Sequence, residues 1–94
     1  MIQYKDGMQL QLWVRDTGLF NGFAVFVNGS IVQVVGDQIT HKYPIPKPSH
    51  DESVAVNFGG QDGGTSAIID VANPAQMMTL ETQTGINHAY IIKV

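Results

Sequence analysis

The stretch Phe23-Ala24-Val25-Phe26-Val27-Asn28-Gly29-Ser30-Ile31-Val32-Gln33-Val34-Val35 decides the fold. Asn-Gly supplies two consecutive positive φ angles, which a type I′ turn requires, and the twist of that turn matches the strands on either side. The segment is therefore expected to form a β-hairpin with Asn28 and Gly29 at its tip. Counting outward pairs Val27 with Ser30, Phe26 with Ile31, Val25 with Val32, Ala24 with Gln33 and Phe23 with Val34. On that register Phe23, Val25, Val27, Val32 and Val34 lie against a core, while Ala24, Phe26, Ile31, Gln33 and Val35 face the other way. The second set is more apolar than a wetted face needs to be.

The same period-2 alternation recurs along the chain, and no window carries a helical period free of Gly, Pro or β-branched interruption. Met8, Leu10, Leu12 and Val14 alternate with Gln9, Gln11, Trp13 and Arg15. Gly36-Asp37 turns the chain into a strand over 38–43. Pro44, Pro46 and Pro48 remove backbone donors at every second position, so 44–51 is expected to be an extended edge crossing that carries the chain between sheets. Further strands are expected over 53–58, 65–71, 77–83 and 87–94. The Gly-rich run Gly59-Gly60-Gln61-Asp62-Gly63-Gly64 between two of them is expected to be a mobile hairpin connection. Seven or eight short strands with turn signals between them predict a small antiparallel β-sandwich, Ig-like or jelly-roll-like, with a small β-barrel as the alternative.

Ninety-four residues make a single domain, 1–94, which buries roughly 60 to 70% of its unfolded surface. Hydrophobic residues are 44% of the chain and charged ones only 14%. Such a surface tolerates close contact with a partner. Lys5, Arg15, Lys42, Lys47 and Lys93 are scattered and the formal charge is −3, which argues against nucleic acid as a partner. The chain has no cysteine, so neither disulfides nor thiolate chemistry enter. Met1 to Leu10 does not read as a signal peptide, and no apolar run has the length of a membrane span.

Chemistry-bearing motifs are weak throughout. Ser49-His50-Asp51 is contiguous, and neighbouring residues of an extended segment point in opposite directions, so it cannot form a relay. Ser30, Ser53 and Ser66 lie in no nucleophile-elbow context, and Asp51-Glu52, Asp70 and Glu81 lack an evident partner for acid–base work. His41, His50 and His88 have no metal-ligand spacing. The Gly-rich run leads into no helix, as a phosphate cradle would, and occurs once, whereas calcium-binding glycine repeats recur in tandem. Asn28-Gly29-Ser30 matches a glycosylation sequon, but the turn accounts for Asn28. No enzyme activity, cofactor or metal is expected.

Exposed apolar side chains mark contact surfaces, and Trp is enriched at binding hot spots. Trp13, Phe26 and Ile31 are accordingly the candidate binding residues, forming one self-association or docking surface. The expected function is a non-enzymatic binding or assembly module acting through a protein partner or self-association. A carbohydrate-binding module is the alternative: Trp13 would stack on a sugar while Asp16, Asn21, Asn57, Gln61 and Asp62 bond its hydroxyls.

The hairpin over 25–32, followed by a strand, a proline-rich crossing and Val54-Ala55-Val56, resembles accessory β-sandwich domains of bacterial envelope or phage proteins. The shared element is a generic hairpin, and no functional residue carries over from it.

Overall fold

The computed structural model describes residues 1–18 and 22–94. Asn28 at φ 49° and Gly29 at φ 82° form the expected turn. Its side chain does more than tolerate the bend: Asn28 Oδ1 accepts the Ser53 N–H at 2.9 Å and its own N–H donates to Ser53 O at 2.8 Å. The tip is thereby pinned to a neighbouring strand.

Nine strands are described: β1 (Ile2–Gln3), β2 (Leu10–Asp16), β3 (Phe23–Val27), β4 (Ser30–Val35), β5 (His41–Ile45), β6 (Glu52–Phe58), β7 (Gly64–Asp70), β8 (Met78–Gly85) and β9 (Asn87–Lys93). They form a five-stranded sheet ordered β1-β9-β6-β3-β4 and a four-stranded sheet ordered β5-β2-β7-β8. All described pairings are antiparallel except that of β1 with β9. The two sheets pack as a sandwich and do not close into a barrel. Two-residue β1 is the strand that alternation could not reveal, being too short to show a period.

The core lies between the sheets. Leu10, Leu12 and Val14 of β2 and Ile68 of β7 face Phe23 and Val25 of β3, Val54, Val56 and Phe58 of β6, and Tyr90 and Ile92 of β9. Each such side chain contributes about 1.5–3 kcal/mol by leaving water. Tyr4 ties the sheets at one end: its hydroxyl donates to Ile45 O at 2.6 Å and accepts the Leu10 N–H at 3.2 Å.

The hairpin register departs from the count in one place. Phe26 pairs with Ile31 and Val27 with Ser30, as the turn dictates, but Val32 is then an extra residue. Beyond this bulge Gln33 pairs with Val25, Val34 with Ala24 and Val35 with Phe23. The inserted residue exchanges the faces that follow it. Val35, expected outward, is buried, while Val34, expected in the core, is 72% exposed. Val32 is likewise exposed, at 42%, instead of in the core.

Loops carry most of the topology. Of the described strands in chain order, only β3–β4 and β7–β8 are successive neighbours in one sheet; the other successive pairs lie in different sheets. The proline-rich segment does cross, from β5 to β6, but only from Pro46 onward: Pro44 and Ile45, expected in the crossing, are part of β5 and pair with β2. The Gly-rich run crosses as well, from β6 to β7, so it is not a hairpin connection. It is also packed: at Gly64 a Cβ would overlap the Phe58 ring and the Arg15 carbonyl oxygen. Ile39, expected within a strand, is 66% exposed, because β5 begins only at His41.

Gly64→Ala is therefore expected to lower unfolding stability by about 1–3 kcal/mol through overpacking. Gly36→Ala, where an added Cβ meets nothing, leaves it within about 0.5 kcal/mol of the original. Urea denaturation of the two variants checks this, and equal losses would contradict the packing assigned to Gly64.

Candidate functional site

Phe26 and Ile31 are neighbours, as the turn count requires. They lie on the outer face of the five-stranded sheet in a row that runs Ile31, Phe26, Ala55, Ala89 across β4, β3, β6 and β9. Ile31 is 61% exposed and Phe26 half-buried. Trp13 is elsewhere. Leu12 and Val14 fill the core, so Trp13 projects from the outer face of the other sheet. The expectation of one surface holding Trp13, Phe26 and Ile31 is thus corrected: alternation on β2 and on β3 sends these side chains to opposite sides of the sandwich.

Trp13 is also engaged. Its Nε1–H donates to Gln11 Oε1 at 2.8 Å, and Lys42 Nζ sits 4.3 Å from the ring centre. One ring face thus carries an ammonium group rather than lying open for a sugar. The polar groups of the carbohydrate alternative do not gather round it either. Asp16 is 4% exposed, with Oδ2 accepting the Gly22 N–H at 3.1 Å, and Oδ1 has no hydrogen-bond partner among the described residues. Asn57 lies on the outer face of the opposite sheet, Gln61 and Asp62 occupy the β6–β7 crossing, and Asn21 falls outside the described residues.

The surface that remains is β4. It is an edge strand, bonded among the described strands to β3 alone. Five of its six residues are exposed. A two-residue turn makes Val27 and Ser30 the hydrogen-bonded pair, so Phe26–Ile31 is a non-bonded pair. Val25–Gln33 is bonded again across the bulge, and Ala24–Val34 is not. The N–H and C=O groups of Ile31 and Val34 consequently point out from the sheet, and both side chains stand on its outer face. Residues 22–36 contain neither a charge nor a proline.

The other edges are guarded. β5 carries Lys42 and Pro44, whose missing N–H spoils pairing. β8 has Glu81 and a bulge opposite Ile68 and Ile69. Along β9, past the short β1, the Gln83 side chain acts as a substitute strand: its Nε2 donates to Ala89 O at 2.6 Å and its Oε1 accepts the Ala89 N–H at 3.1 Å. The bulge in β4 is itself a device that discourages edge pairing. Here it changes which groups reach the edge without removing them.

A polar constellation that the sequence reading did not assemble lies inside the core. Tyr90, Ser66 and His88 are 1%, 3% and 2% exposed. Ser66 Oγ lies 2.6 Å from Tyr90 Oη and 2.5 Å from His88 Nδ1, and His88 Nε2 is 3.0 Å from Gly85 O. A neutral imidazole protonated at Nε2 satisfies the whole chain: Tyr90 donates to Ser66, Ser66 to Nδ1, and Nε2–H to Gly85 O. Sealed from solvent, the Ser–His contact braces β7 to β9. Inward alternation of His88, Tyr90 and Ile92 was the signal that could have found it.

The remaining histidines are apart. His41 Nε2 contacts Asp37 Oδ1 at 2.6 Å and its ring meets Phe23 edge-on, whereas His50 lies in the β5–β6 crossing. Asp51 holds Lys93 at 2.5 Å and the Val94 N–H at 3.2 Å, so Ser49-His50-Asp51 is no relay. Among the described residues no three His, Asp or Glu side chains converge on a metal-sized site, and no helix is long and apolar enough to cross a membrane. No family model matches the chain, and neither a curated protein nor a solved structure resembles it significantly.

Burial holds the His88 pKa below its ordinary value near 6.5, against a weaker upward pull from the Gly85 carbonyl. The unfolded chain therefore takes up the proton first. Stability that His88 supplies above pH about 6.5 is lost as the pH falls below it. Asp6, Asp37 and Asp51 have lowered pKa values and act only at more acidic pH. The urea midpoint is expected to fall on acidification from pH about 7 to about 5, and His88→Gln to flatten that fall. Ser66→Ala, which leaves the buried His88 Nδ1 without its donor and Tyr90 without its acceptor, costs about 1–3 kcal/mol at pH 7.

Proposed function

We infer that this chain is a non-enzymatic protein-binding module that takes up an extended segment of another polypeptide along β4. The observation carrying this reading is the open edge of β4: six uncharged, proline-free residues with the Ile31 and Val34 backbone groups free to pair. Strand addition uses these elements, main-chain bonds for affinity and alternate side chains for choice. At about 3.4 Å per residue, β4 offers roughly 20 Å of template. Apolar Ile31, Val34 and Phe26 on the adjoining face would cover one side of the incoming strand.

Supporting this reading is the contrast with the guarded edges, since a fold under no demand to pair would be expected to protect β4 as it protects β5 and β8. Val34→Pro gives the sharpest test. The N–H it deletes faces the open edge, not β3, so the β3–β4 ladder keeps its bonds. Peptides selected from a random displayed library are expected to be rich in β-branched residues and to lose binding at least about tenfold on Val34→Pro. Trp13→Ala leaves their binding unchanged. Selected peptides that bind Val34→Pro normally, or that depend on Trp13, contradict the proposal.

A further inference from the structure

Resting on strand addition at β4, we propose that the segment it takes up is β4 of a second copy of this chain, paired antiparallel about a two-fold axis between Val32 and Gln33. Charge is the first argument. In a two-fold contact the residues beside the axis lie near their own counterparts, so a charge there would repel its own copy. Residues 22–36 have none, nor do Ser53, Ala55 and Asn57 on the neighbouring outer face of β6. An edge selecting a charged foreign segment would display the opposite sign. The chain as a whole carries a net −3, so neutrality here is local.

Register is the second. Because of the extra residue, the free backbone groups sit three positions apart, at Ile31 and Val34, instead of the regular two. A foreign regular strand can satisfy one of these positions and runs out of step at the other. A second β4 carries the same bulge and the same spacing. Antiparallel alignment then sets Ile31 opposite Val34 of the other copy and Val34 opposite its Ile31, with both pairs exchanging backbone bonds. Their side chains fall together on one face, extended by Phe26 of each copy. The five-stranded sheets join into one continuous sheet across the axis.

Six residues of pairing is a small contact beside the roughly 1,200 Å² of a stable complex. The dimer is therefore weak, with a dissociation constant between about 1 µM and about 1 mM. Light scattering from about 5 µM to about 2 mM is expected to show the mass climbing from that of one 10.2 kDa chain toward twice it. Val34→Pro and Val34→Lys, both at an exposed site, are expected to stay monomeric. The chain has no cysteine, so a mixture of Ile31→Cys and Val34→Cys copies gives a clean register test. The mixture is expected to cross-link at least about tenfold faster than either variant alone.

A monomer throughout that range overturns the dimer, and strand addition survives only if displayed peptides still bind β4. A dimer indifferent to both Val34 variants overturns the proposal by placing the contact on another face. Cross-linking no faster in the mixture than in the separate variants overturns the two-fold register.

Discussion

Two consecutive left-handed residues, Asn28 and Gly29, set the geometry on which the rest of this sandwich depends. Their φ angles close β3 onto β4, and the Asn28 side chain then fastens the tip to Ser53 at the start of β6. One residue thus fixes three strands of the larger sheet in register. β6 in turn brings Val54, Val56 and Phe58 into the core opposite Leu12 and Ile68. A β-branched residue at position 29 would resist the required φ, which places the turn among the few positions where residue identity is dictated by backbone alone.

Much of the architecture was legible because alternation is a direct consequence of strand geometry. Leu10, Leu12 and Val14 are inward and Gln11, Trp13 and Arg15 outward, as their spacing requires. The hairpin shows where such reading stops. Its first two pairs follow from the turn, but nothing in Val32-Gln33-Val34-Val35 announces which valine is supernumerary, since all are apolar and β-branched. A single inserted residue moved Val34 out and Val35 in. The Gly-rich run misled for a related reason: glycine signals mobility or close packing alike, and only the Phe58 ring against Gly64 distinguishes them.

The candidate surface was half legible. Phe26 and Ile31 belong together because their pairing lies on the turn side of the bulge. Trp13 does not join them, for sheet membership is a long-range property that no local count reveals. The same holds for the Ser66, His88 and Tyr90 chain, drawn from β7 and β9, and for Gln83, which closes the edge of β9 from the other sheet. These groups show how the fold treats polarity and edges: Ser66, His88 and Tyr90 satisfy one another, and exposed ladders are blocked by proline, charge, a bulge or a borrowed amide. β4 has a bulge but neither proline, charge nor a borrowed amide.

The direct measurement is amide hydrogen exchange along β4, residue by residue, in dilute and in concentrated protein. The Gln33 and Val35 amides, facing β3, are expected to exchange slowly in both. Ile31 and Val34 are expected to exchange rapidly when dilute and to become protected on concentration. Protection of Ile31 and Val34 already in the dilute monomer, or its absence at every concentration, would contradict an edge that is open in the single chain and closed by its own copy.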